Sequence, residues 1–129
     1  MALSGGQTTA STKEALMHEL SIAEGIAEAV ESTAAREGIT RVTSVRVAVG
    51  ELAGVDVEAL RFAWVSVCAT PLLEGAALEV ETPAGSAWCL DCAETVPLHR
   101  HGDPCPKCGG WHLAANGGHE MRVLDFEGS

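Results

Sequence analysis

Basic residues are scarce in this chain. Eight lysines and arginines stand against 18 aspartates and glutamates over 129 residues, a formal charge of −10. Binding a phosphate backbone needs a clustered basic surface. None is visible, which argues against nucleic acid as a partner. Long apolar runs are missing as well: no stretch approaches the roughly 20 unbroken apolar residues of a membrane-spanning helix. Residues 1–16, MALSGGQTTASTKEAL, have neither a basic n-region nor an apolar h-region, so they do not read as a secretory signal. No nucleophile–base pair, phosphate-cradling loop or GxSxG motif stands out, and the chain does not read as an enzyme. What is left has a globular balance, with 47% hydrophobic and 20% charged residues. The length suits one domain with room for a small satellite.

The hydrophobic pattern divides the chain. Residues 1–16 are rich in Gly, Ser and Thr and read as a disordered extension, so that Met17 could be the true initiator. Residues 21–37 read as an amphipathic helix. Ser21 followed by Glu24 has the form of a capping box, and Ile22, Ile26, Ala27, Val30 and Ala34 share one stripe. Gly38 is a stop. On this reading Met17-His18-Glu19 precedes the helix, and its polar groups need not be buried by it. Residues 41–50 alternate as a strand, with Val45, Val47 and Val49 on one face and Arg46 on the other. After the loop GELAG, Asp56 can cap a second helix with the stripe Leu60, Ala63, Trp64, Val67 and Cys68, ended by Pro71. Further strands are expected around 76–81, with Leu78 and Val80 inward, and over 120–127. In the latter, both Met121/Val123 and Leu124/Phe126 are available as the inward pair. PAGSA at 83–87 and AANGG at 114–118 look like linkers bracketing a segment of different composition.

That segment carries the most specific signal. Cys89-Leu90-Asp91-Cys92 and Cys105-Pro106-Lys107-Cys108 are separated by twelve residues. Each C-x-x-C turn directs two thiolates at one centre, and two turns complete a tetrahedron. Soft sulfur ligands in that geometry favour Zn²⁺. Four thiolates saturate the ion, so the site is structural rather than hydrolytic. About 26 residues bury too little surface to fold alone, and a metal staple is the physical expectation. Paired cysteines without a secretory signal point to metal in a reducing compartment, which implies a cytoplasmic protein. His99 and His101 fall in the twelve-residue loop and His112 follows it. They could tune or exchange at the zinc, or be solvated loop side chains. Trp88 and Trp111 are expected to cover the ribbon, and Trp64 to be core. Cys68, on a helix stripe, reads as a small core hydrophobe.

A second constellation is Met17-His18-Glu19. Were Met17 the first residue, an amine, a backbone amide, an imidazole and a carboxylate would lie within three positions. A planar, nitrogen-rich site of that kind suits Ni²⁺ or Cu²⁺.

Taken together, MHELSIAEGI at 17–26, VGELAGVDVEALRFAW at 49–64, the cysteine quartet at 89–108 and HEMRVLDFE at 119–127 resemble the HypA/HybF family of hydrogenase maturation proteins. The order and spacing agree over about 17–127. The resemblance implies an α+β fold: a roughly three-stranded sheet packed with two helices, plus an inserted four-cysteine zinc ribbon. The nickel-binding domain would span 17–87 and 117–129, and the zinc-binding domain 88–116. It implies a nickel metallochaperone without turnover that works with a HypB-type GTPase and the [NiFe] hydrogenase large subunit. Some members also serve urease maturation. Carried onto this chain, the nickel site falls on His18 and Glu19, with the Met17 amine and, in some members, Asp56. The zinc ligands fall on Cys89, Cys92, Cys105 and Cys108. In the family Met-His-Glu is the extreme N-terminus, whereas sixteen residues precede it here. If they are retained, the Met17 amine is an amide and that ligand is lost. The rival reading is a zinc-ribbon interaction module without nickel transfer.

Overall fold

The structure, a computed structural model, describes the backbone of residues 2–129 and the side chains of residues 18–129. The expected extension at 1–16 and the Met17 side chain lie outside the described side chains. The elements are α1 (Ala2–Glu37), β1 (Val42–Val49), α2 (Val57–Val67), β2 (Ala77–Glu81), β3 (Ser86–Cys89), β4 (Glu94–Pro97), β5 (Leu113–Gly117) and β6 (Met121–Gly128). They form two three-stranded sheets, ordered β2-β1-β6 and β4-β3-β5. The chain divides into two compact units. One comprises 1–46, 56–79 and 123–129, the other 47–55 and 80–122.

In the first unit α1 buries Ala23, Ile26, Ala27, Val30 and Ala34. Ile22, expected in the stripe, is half-buried, and Ser21 does not start the helix: 18–20 are helical too. The reason is periodicity. Glu19 lies four residues before Ala23, so the buried stripe continues one step upstream with a carboxylate in it. At the other end Gly38 takes φ +70 and the Ile39 amide donates to Ala34 O at 2.9 Å, closing the last turn.

Helix α2 is capped by Asp56, whose Oδ1 accepts from the Ala59 amide at 3.1 Å. It buries Leu60, Ala63 and Trp64. It ends at Val67, short of Pro71, with Cys68 as a half-buried C-cap rather than a core residue. A residue before proline avoids the helical region, so the helix stops upstream. Trp64 Nε1 donates to Ala76 O at 2.9 Å and Arg61 Nη1 to Leu78 O at 3.1 Å, tying α2 to β2 and its approach. Leu78 is buried and Val80 half-buried. Arg46 of β1 pairs with Asp125 of β6. By strand alternation this puts Leu124 and Phe126 on the face away from that ion pair, while Met121, Val123, Leu124 and Phe126 are all half-buried, so both candidate pairs are partly covered.

The second unit has a core of its own, Leu52, Ala87 and Leu98 with Leu113 packed against them. Strand β3 pairs antiparallel with β4 and with β5. The glycine-rich brackets that looked like linkers are places of close backbone contact. A Cβ on Gly50 would stand 2.1 Å from Gly118 O, and one on Gly85 2.1 Å from Leu98 O. One on Gly118, which has φ +92, would meet Gly85 Cα at 2.5 Å. The absence of a side chain lets these segments touch and exchange hydrogen bonds, with the Leu52 amide donating to Gly118 O at 2.7 Å.

Candidate metal centres

The two cysteine turns repeat one design. In each, the amide four residues beyond the first cysteine donates back to its carbonyl: Ala93 to Cys89 and Gly109 to Cys105, both at 2.8 Å. Both donors sit in the left-handed region, Gly109 at φ 72 and Ala93 at φ 53. Backbone amides also approach sulfur, Cys92 N to Cys89 Sγ and Lys107 N to Cys105 Sγ, each at 3.4 Å. These turns bring the four Sγ atoms within 4.8 Å of one another. The pairs Cys89–Cys108 and Cys92–Cys105 stand 3.8 and 3.9 Å apart. A zinc ion with Zn–S bonds of about 2.3 Å at tetrahedral angles sets its sulfurs about 3.8 Å apart. The donor set therefore fits zinc. As bare thiols the four are inequivalent. Sharing with Cys108 pushes Cys92 up to about 12, and the Cys108 and Lys107 amides hold Cys105 down to about 7. Cys89 and Cys105 are buried with Val96, so the sulfur cluster is also a small core.

The histidines near this segment take other partners. His112 Nδ1 is 2.9 Å from Asp91 Oδ2, and His99 Nδ1 is 2.9 Å from Glu51 Oε2. His101 Nε2 is 3.3 Å from His119 Nε2. Among the described residues no histidine joins the four-sulfur group. Trp88 and Trp111 are exposed rather than covering the ribbon. Glu51 was not singled out by its sequence. Its Oε1 accepts from the Gly85 amide at 2.8 Å. That bond and His99 hold its carboxyl below the usual glutamate range.

In the first unit the structure brings His18, Glu19 and Asp56 together. Glu19 is only 2% exposed. Its Oε2 accepts from the Asp56 amide at 2.9 Å and lies 3.7 Å from His18 Nδ1. Its Oε1 is buried without a hydrogen-bond partner among the described residues. So Asp56 caps α2 with its side chain while its own amide is capped by Glu19 from α1, a capping box closed across space instead of along the chain. Burying a carboxylate with one oxygen unbonded is costly unless a cation or proton reaches it. A helix beginning at Ser21 would leave Glu19 outside the buried stripe. The signal that could have found it is its i−4 spacing from Ala23.

Fold and donor sets together define a small two-unit α+β protein organised for metal binding. A family model described as "Hydrogenase/urease nickel incorporation, metallochaperone, hypA" matches residues 17–128. The chain is 50% identical over 110 residues to the hydrogenase maturation factor HypA of Polaromonas naphthalenivorans, covering 85% of this chain and 96% of that one. It is 49% identical to the HypA of Cupriavidus necator over 85% of this chain and 92% of that one. The solution structure of the Ni metallochaperone HypA from Helicobacter pylori has a similar fold. The TM-score is 0.59 at 21% identity, over 85% of this chain and 96% of that one. This chain belongs to the HypA family of nickel-incorporation metallochaperones in hydrogenase maturation.

Proposed function

We propose that this chain carries Ni²⁺ as cargo on the segment 17–19 and passes it to the [NiFe] hydrogenase large subunit, in concert with a HypB-type GTPase in the cytoplasm. His18 supplies the imidazole. Glu19 and Asp56 complete or orient the site. The Met17 amine joins them when the mature chain begins there. Cys89, Cys92, Cys105 and Cys108 hold a structural Zn²⁺ that is not handed on. The reaction is transfer of an ion, without turnover of a bond.

The observation that carries this reading is the Glu19 carboxylate: buried, with one oxygen spent on the Asp56 amide and the other unpartnered among the described residues, beside the exposed His18 ring. The cap on the Asp56 amide uses only one of the two oxygens, whereas a cation arriving at His18 would meet a carboxylate already withdrawn from water. Neutral imidazole is the ligand, so protons and nickel compete for it.

The test is nickel titration of the zinc-loaded protein and of His18→Ala, starting at Met1 and at Met17. Full binding needs His18, and the chain starting at Met17 binds more tightly and in planar geometry. Cells carrying His18→Ala should assemble little hydrogenase in nickel-poor medium. Normal assembly there would instead favour a zinc-ribbon module that acts through protein contacts alone.

A further inference from the structure

His101 and His119 lie eighteen positions apart, yet the second unit sets their Nε2 atoms 3.3 Å from each other. The ring centroids are 5.3 Å apart and the planes cross at 33°, so the rings meet edge to edge rather than stack. The backbone under them is pinned. His119 sits between two hydrogen bonds, from the Leu52 amide to Gly118 O and from the Gly50 amide to Glu120 O, each at 2.7 Å. Gly118, just before it, is locked by its approach to Gly85. On the other side Leu98 N donates to Gly85 O at 3.0 Å, and Asp103 N closes a turn on Arg100 O at 3.2 Å. His101 also lines a cleft of about 230 Å³ together with Glu51, His99 and Arg100.

We infer that His101 and His119 form a second metal site in the cysteine-bearing unit, a bis-imidazole chelate for Zn²⁺ with water in its remaining positions. The separation suits a tetrahedral ion. Two nitrogens on a metal at about 2.0–2.1 Å stand about 2.9 Å apart at a right angle and about 3.4 Å apart at the tetrahedral angle. The pair matches the second, and imidazole suits zinc over magnesium or calcium. Glu51, in the same cleft, supplies negative charge, and Arg100 opposes it. Neither His99 nor Glu51 is a ligand: among the described residues only the four cysteines form a larger group. This site does not depend on the nickel reading, because it uses no residue of the 17–19 segment.

The test is equilibrium dialysis of the full chain, its cysteine site already filled with one Zn²⁺, against micromolar Zn²⁺. Nitrogen NMR of the imidazoles is recorded alongside. The chain should take up one further ion, with the Nε2 signals of both His101 and His119 shifting together. His101→Gln and His119→Gln should each weaken that uptake about tenfold or more, while His99→Gln and His18→Ala retain it. Both glutamine changes are at exposed positions, and unchanged circular dichroism confirms that the variants fold. The proposal is overturned if no second ion binds, if both single variants keep it, or if His18→Ala alone abolishes it. In the first case the pair is only an imidazole–imidazole hydrogen bond, and in the last the ion sits at the N-terminal segment.

Discussion

The two units assemble their donor groups by opposite routes. In the second, all four sulfurs come from two local turns whose backbone bonds are made within five residues, and the chain needs only to bring the turns together. In the first, His18 and Glu19 come from one helix and Asp56 from the start of another, and a single bond from amide to carboxylate joins them. The sulfur turns set their donors in a core, with Cys89, Cys105 and Val96 buried together. An exposed imidazole beside a half-satisfied carboxylate offers far fewer donors than four converging sulfurs, as the proposed carrier role requires. The proposed roles of staple and carrier rest on that difference.

The comparison breaks most visibly at the sulfurs. Cys105→Ser should release zinc, forfeiting a binding contribution of ~10 kcal/mol, and unfold the β4-β3-β5 sheet while the helical signal of α1 and α2 persists. Metal content and amide spectra together check this; a variant that keeps both zinc and ribbon signals would contradict the staple. At the carrier, Glu19→Gln keeps an oxygen for the Asp56 amide but removes the charge. Nickel affinity should fall about tenfold or more, while stability changes by no more than ~1 kcal/mol, because a buried charge is relieved as a charge-assisted bond is weakened. Equal losses of stability and nickel would make Glu19 a structural residue only.

A smaller effect tests the repeat between the two turns. Ala93 occupies the left-handed position that Gly109 fills in its twin. Ala93→Gly should stabilise the zinc-loaded ribbon by ~1 kcal/mol, read as slower zinc loss to a chelator. The smallest concerns Glu51. Its carboxyl is held down by the Gly85 amide and His99, so its folded value lies below the unfolded one. It therefore adds stability above the ordinary glutamate range, and that increment is lost as pH falls through the folded value. The stability gap between wild type and Glu51→Gln should be open at neutral pH and close on acidification. A gap that widens instead would reverse the sign.

Much of the fold is legible residue by residue. The stripe from Ile26 to Ala34, the alternation of Val45, Val47 and Val49, and the Asp56 cap are local patterns that burial follows directly. Strands β3 to β5 are not legible in the sequence, because they are four or five residues long and set among cysteines and glycines, where apolar period is faint. Gly85 and Gly118 looked like linker residues because a sequence does not distinguish a glycine needed for freedom from one needed for closeness. Ser21 and Glu24 have the form of a cap but lie inside α1, because the buried face runs on upstream of them through Glu19.

By itself the sequence determined the four-sulfur ligand set, since spacing within a C-x-x-C turn dictates where two thiolates point, and it determined the elements whose apolar period is strong. Only the tertiary structure decided which charged groups are stripped of water and which imidazoles meet. Glu19 reaches Asp56 across thirty-seven positions and His101 reaches His119 across eighteen. Contacts of that range depend on how separate segments pack, which no local pattern encodes.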